Sequence, residues 1–255
     1  KRYRAKDFPK TNWNFPKFLW LPAVRWFGIF KMTLFKHVFI LSGTGVGGGS
    51  LVYANTLLTP KSDVWDDKQW KGLNDWHKEM PHHFQTAKTM LGVIKNPTMG
   101  DADHTLKSGA EAMGVGESFY KTDVGIYFGE KGVTEKDPYF NGEGPDRTGC
   151  ELCGGCMVGC RYDGKNTLDK NYLYLAEKQG AHIIPEFTVT EVTPLEGIDS
   201  NGENGYSVTG IKSTSFIFKK RTKLTASKVV FSAGVLGTVK LLFEIRKEGE
   251  SIDPI

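Results

Sequence analysis

Gly43-Thr44-Gly45-Val46-Gly47-Gly48-Gly49-Ser50-Leu51-Val52-Tyr53-Ala54-Asn55 is the stretch on which the reading of this chain turns. Five glycines in seven residues mean that some backbone here packs closely against a neighbour or a ligand. The apolar run His37–Leu41 before it reads as a buried strand or extended segment. Ser50 is placed to cap a short helix that Pro60 ends. On spacing alone, Gly43, Gly45 and Gly48 satisfy G-x-G-x-x-G, the pattern that seats a dinucleotide's phosphates at a helix N-terminus. The sequel does not fit that unit, which needs a second apolar strand ending in an acidic residue about 20 positions on. Here Thr59 to Asp67 is polar and begins a helix. A tight glycine turn and a backbone built to approach a ligand both remain open on spacing.

Working outward, helical and extended patterns are mixed. Ser62 and Asp63 start a tryptophan-rich helical stretch, Pro81 suits the first position of a helix over His82–Leu91, and Asp101–Met113 is a further helix stopped by Gly114. Phe119–Phe128 reads as extended and Gly129–Gly149 as loop. Thr167–Gln179 patterns as one helix closed by Gly180. Thr188–Val192 is a strand, and Tyr206–Ile211 with Phe216–Lys220 alternates like a hairpin. Lys228–Ser232 reads as a strand turned by Ala233 and Gly234 into an amphipathic helix with Val235, Val239, Leu242, Phe243 and Arg246 on one spacing. The fold class is α/β, of the α+β kind. Four segments follow: 1–42, aromatic and basic; 43–149, the glycine loop and a helical region; 150–181, a cysteine loop and helix; and 182–255, strands and a strand–helix return.

Composition is that of an ordinary soluble globular protein. A net charge of +4 without a dense Lys/Arg run argues against nucleic acid as a partner. Trp13–Leu41 is rich in aromatics but is broken by Pro and Lys/Arg, so no run approaches the ~20 apolar residues that span a bilayer. It is a core segment plus loop, or a lid for an apolar substrate with peripheral membrane contact. The histidines show no ligand spacing, no Gly-x-Ser-x-Gly elbow occurs, and no carboxylate pair can be assigned as acid and base. Catalytic residues are therefore unknown from the sequence.

All four cysteines, Cys150, Cys153, Cys156 and Cys160, lie in one C-x2-C-x2-C-x3-C run. That spacing matches the bacterial ferredoxin run for a [4Fe–4S] cluster, with Gly154, Gly155 and Gly159 letting the backbone curl. The fourth cysteine of such a run usually serves a second cluster, and Arg161 stands where Pro usually follows. A zinc site and two disulfides are the other readings. Clustered thiols fit a reducing compartment, which favours a cytoplasmic location.

Gly45–Asn55 resembles the second glycine-rich segment of the glucose–methanol–choline (GMC) oxidoreductases, especially their cholesterol-oxidase-like branch. Val229–Thr238 is similar to that family's strand–Ala-Gly–helix return, and Val189 matches a family valine. The resemblance implies part of an FAD-binding domain with portions of a substrate domain, a central piece of the family chain. It implies that Gly45, Gly47, Gly48, Gly49, Ser50, Asn55, Val189, Ala233 and Gly234 line FAD. The implied reaction is oxidation of an alcohol (a CH–OH donor, bulky or sterol-like) by hydride transfer to flavin. The family's catalytic histidine and first fingerprint fall outside the matched stretch. An electron-acceptor protein, an iron–sulfur electron-transfer role and a non-catalytic place in a larger assembly are the other expectations.

Overall fold

A computed structural model describes residues 1–197, 201–215 and 219–249. The chain divides into two units, one of Lys1–Trp20 with Gly28–Ile183 and one of Leu21–Phe27 with Ile184–Ile255. Helices and small antiparallel sheets are mixed, so the fold is α+β.

In the first unit the greasy N-terminal stretch becomes half of a hairpin. β1 (Phe30–Leu34) pairs antiparallel with β2 (Phe39–Gly43), Phe30 opposite Gly43 and Leu34 opposite Phe39. The expected buried strand over His37–Leu41 is thus shifted towards the glycines and is largely exposed. Its partner is antiparallel and adjacent, so no parallel crossover unit forms around Gly43, Gly45 and Gly48. Beneath the hairpin's base, Tyr3, Phe8, Ile29, Phe30 and Leu51 form the core, with Phe18 and Val52 packed on it.

The other elements follow the sequence unevenly. α1 runs Trp76–Met90 and holds Pro81 in its interior rather than at its start. The ring costs one backbone hydrogen bond, yet Trp76 has already begun the helix, its ring grouped with Trp65 and Trp70. α2 is Asp101–Ala112, its first backbone donor, Gly100 N, satisfied by the Asp103 carboxylate at 2.8 Å. The single helix expected over Thr167–Gln179 is a 3-10 turn, Leu168–Lys170, then α3, Tyr172–Lys178. The break is at Asn171 (φ −134°, ψ −99°), whose Oδ1 accepts from Tyr172 N. An amide that caps a helix from outside helical geometry favours a restart over a continuous helix.

The second unit is a three-stranded meander, β3 (Phe187–Pro194), β4 (Tyr206–Lys212) and β5 (Arg221–Ala226), with β4 central. The expected hairpin partner over Phe216–Lys220 lies partly outside the described residues; Lys219 and Lys220 are not in a strand, and pairing begins at Arg221. α4 (Gly234–Gly249) lies against β3. Lys228–Ser232, expected as a strand, is irregular. Among the described residues no strand pairs with it, and an apolar run without a ladder partner cannot form one.

Candidate functional site

The glycine stretch is a tight turn whose geometry only glycine tolerates at two points. Gly45 and Gly47 have φ of +139° and +104°. A Cβ on Gly45 would lie 2.5 Å from the Tyr3 ring, so that glycine serves the core. Gly48 and Gly49 differ: nothing lies within 4 Å of where their Cβ atoms would be. Their backbone therefore presents a bare, open face. The turn is one round of 3-10 helix, Gly48–Leu51, instead of the short helix expected.

Ser50 lies inside that turn and does not cap it. Its Oγ donates to Gly47 O at 2.7 Å and accepts from Leu168 N at 2.9 Å. One hydroxyl thus ties the glycine turn to the segment that follows the cysteines. Lys165 makes the same connection more strongly. Its buried Nζ donates to Leu51 O (3.1 Å), Tyr53 O (2.6 Å) and Cys156 O (2.8 Å), and it lies 4.4 Å from the Tyr53 ring centroid. Burial lowers its pKa to about 8. Tyr53 donates its hydroxyl to Asn166 O at 2.8 Å, and burial pushes its own pKa up to about 12.

Behind Lys165 lies a second buried cation. Arg147 donates to Asp163 O (3.0 Å) and Lys165 O (2.9 Å) and to the Asn166 side-chain oxygen, with its guanidinium 5.8 Å from the Tyr139 ring centroid. Asn166 Nδ2 in turn donates to Leu91 O (3.0 Å), Gly92 O (3.1 Å) and Tyr139 Oη (3.2 Å). Lys165, Asn166 and Arg147 are the residues that sequence reasoning missed. A lone Lys or Arg in a polar stretch reads as surface. Only its burial in the fold reveals otherwise.

Asn55 is buried in the left-handed region (φ +60°), and its Oδ1 has no hydrogen-bond partner. Its amide sits beside the Cys156 thiol. Together with Lys165 and all four cysteines it lines a cavity of about 410 Å³, whose apolar wall includes Val124, Ile126 and Phe128. The thiols are free; Cys153 is exposed and the others are half-buried. Burial raises the thiol pKa values of Cys150 and Cys156. A different donor group, Glu79, His82 and His83, meets on one exposed turn of α1. With His83 Nε2 3.2 Å from Glu79 Oε1, it is an ordinary i,i+4 surface pair with a neighbouring histidine.

The remaining expected residues belong to the second unit. Val189 pairs with Gly210 beside a β-bulge, where the register between β3 and β4 shifts at Thr209/Gly210 and leaves Thr190 as the extra residue. Bulges re-aim the backbone, and nothing in the sequence marks this one. Ala233 and Gly234 form the N-terminus of the 16-residue α4, Gly234 at φ +70° with open space at its Cβ position, and Ala233 N donates to Thr238 Oγ1 at 3.0 Å.

Residues 143–244, from the loop before the cysteines through most of α4, match the family model described as GMC oxidoreductase. Over 253 residues, 98% of its length, the chain is 49% identical to a cholesterol oxidase of Acinetobacter baumannii. Residues 143–244 thus carry the GMC oxidoreductase domain. The chain is also 43% identical over 254 residues to a cholesterol oxidase of Mycobacterium tuberculosis (strain CDC 1551 / Oshkosh), and equally to that of strain H37Rv. The chain spans 45% and 43% of the length of these GMC relatives, less than half of each.

Proposed function

We propose that this chain builds part of the FAD site of an enzyme that oxidises a bulky, sterol-like alcohol at a CH–OH carbon. The observation that carries the reading is the bare backbone of Gly48 and Gly49 in a turn whose neighbours are tied down, Ser50 by its bonds to Gly47 O and Leu168 N and Tyr53 by the bond from Lys165. A backbone face with no side chains suits close approach of a flat ring or a pyrophosphate. The unpaired, buried Asn55 Oδ1 also fits a polar ligand nearby, since such an atom is costly without a partner. In the second unit, the bulge at Val189 and the N-terminus of α4 at Ala233 and Gly234 suit adenine and phosphate contacts. FAD, when bound, supplies the hydride acceptor. The residues of this chain supply shape: Gly47 to Ser50 set the face, and Lys165 and Tyr53 fix the chain leaving it. The cholesterol oxidase names of the relatives support a sterol-like substrate, and exposed Trp13 and Phe35 provide apolar surface for one.

The whole polypeptide carrying this chain, purified in its native state, is expected to hold about one FAD per chain, read from the flavin released on denaturation. It is expected to reduce that flavin when mixed with a 3-hydroxysteroid in the absence of oxygen. A protein free of flavin after incubation with FAD overturns the cofactor. A flavoprotein bleached by simple alcohols but not by the steroid overturns the substrate class.

A further inference from the structure

We infer that Cys150, Cys153, Cys156 and Cys160 bind one iron–sulfur cluster in the cavity they line. The inference rests on the first unit alone and does not depend on the flavin reading.

Four observations converge on it. The C-x2-C-x2-C spacing of Cys150, Cys153 and Cys156 is that of three ferredoxin ligands to one cluster, and Cys160, which in ferredoxins would serve a second cluster, lines the same cavity here. The fold places all four cysteines on the wall of one cavity of about 410 Å³, where Asn55 and Lys165 supply the polar groups. One sulfur is already supplied with a donor: Leu152 N donates to Cys150 Sγ at 3.4 Å. Hydrogen bonds to ligand sulfur are a feature of cluster sites. The loop reaches this shape through left-handed residues at Leu152 (φ +54°), Gly154 (+68°) and Gly159 (+88°).

Charge adds to these four. Lys165 and Arg147 are 1% and 2% exposed, and every hydrogen bond they donate ends on a carbonyl or amide oxygen. The carboxyl group that acts on Arg147, Asp169, is itself pushed by burial towards its neutral form. Two buried cations without a hydrogen-bonded counter-ion are unfavourable. Thiolates on a cluster supply negative charge close to Lys165, which donates to Cys156 O at 2.8 Å and lines the same cavity as the four cysteines.

The sulfur arrangement argues against a single ion. Four thiolates around one tetrahedral zinc at Zn–S of about 2.3 Å lie roughly 4 Å apart. Among the described residues no three cysteine sulfurs lie within 4.8 Å of one another. A cluster carries each thiolate on a different iron, so its sulfurs are spread wider.

The test is iron and acid-labile sulfide analysis, with electron paramagnetic resonance, on the whole polypeptide. It is purified without oxygen and then incubated anaerobically with ferric iron, sulfide and a thiol reductant that reduces part of the iron. About three to four irons with matching sulfide per chain are expected. Cys153→Ser, at the exposed thiol, and Cys160→Ser are each expected to lose most of that iron while circular dichroism stays unchanged. Stoichiometric zinc, iron without sulfide, or a wild-type protein that remains metal-free overturns the proposal, as does full iron retention in both variants. If a variant does not fold, the wild-type iron and sulfide content decides alone. Flavin content of the same samples separates the two readings: flavin without iron overturns the cluster only, and iron without flavin overturns the FAD assignment only.

Discussion

Ser50→Ala removes two hydrogen bonds at once, one to Gly47 O and one from Leu168 N. The Leu168 amide is left without its acceptor, so a loss of about 1–2 kcal/mol is expected, read as a lower urea midpoint with an unchanged slope. Glycine replacements separate strain from collision. Gly180 and Gly159 both have positive φ, +94° and +88°. A Cβ on Gly180 meets nothing within 4 Å, whereas one on Gly159 would lie 2.0 Å from the Phe8 ring. Gly180→Ala is expected to cost about 1–2 kcal/mol from backbone strain alone. Gly159→Ala is expected to cost at least about 2 kcal/mol more, because the cysteine loop must move off the core. Equal thermal shifts for the two would contradict this account.

Within the loop that leads to the cysteines, one carboxylate organises several backbone amides. Asp137 accepts from Tyr139 N and Phe140 N (both 3.0 Å), Gly142 N (2.8 Å) and Gly144 N (2.9 Å). Burial alone would raise its pKa, but these donors outweigh burial and hold it below the ordinary 3.8. A depressed folded-state pKa means stability that is present above about 4 and lost as pH falls through the folded value. Asp137→Ala is therefore expected to lower stability by about 1–2 kcal/mol at neutral pH. The gap from wild type is expected to shrink below pH 4, as followed by thermal melts across pH. The loop matters to the site because Tyr139 lies over Arg147 and meets Asn166.

Across the chain, much apolar surface is uncovered. In the first unit Trp13, Leu34 and Phe39 are exposed, and in the second Val230 and Val235 are 85% and 80% exposed. Single exposed apolar residues are ordinary, but runs of them mark surfaces that bind something. Expressed by itself, this 255-residue chain is expected to bind a hydrophobic dye strongly and to self-associate. The whole polypeptide is expected to do neither, as measured by dye fluorescence and sedimentation. A monomeric, dye-silent chain would show that this surface needs no cover.

The sequence by itself determined what is set by spacing and by backbone chemistry. Five glycines in seven residues marked a turn whose backbone packs closely, as it does at Gly43 and Gly45, and Gly45 and Gly47 occupy φ values that require glycine. The C-x2-C-x2-C-x3-C run put four thiols on one loop, and the 3.6-residue spacing of Val235, Val239 and Leu242 marked α4. Tertiary structure decided what depends on distant partners. It turned the apparent strand before the glycines into an exposed hairpin arm, because Phe30–Leu34 offered an adjacent antiparallel edge. It split the helix after the cysteines at Asn171 and left Lys228–Ser232 without a ladder. It also buried Arg147 and Lys165 beneath the cysteine loop. Their partners are backbone carbonyls up to 114 residues away, and a carbonyl has no signature in a sequence.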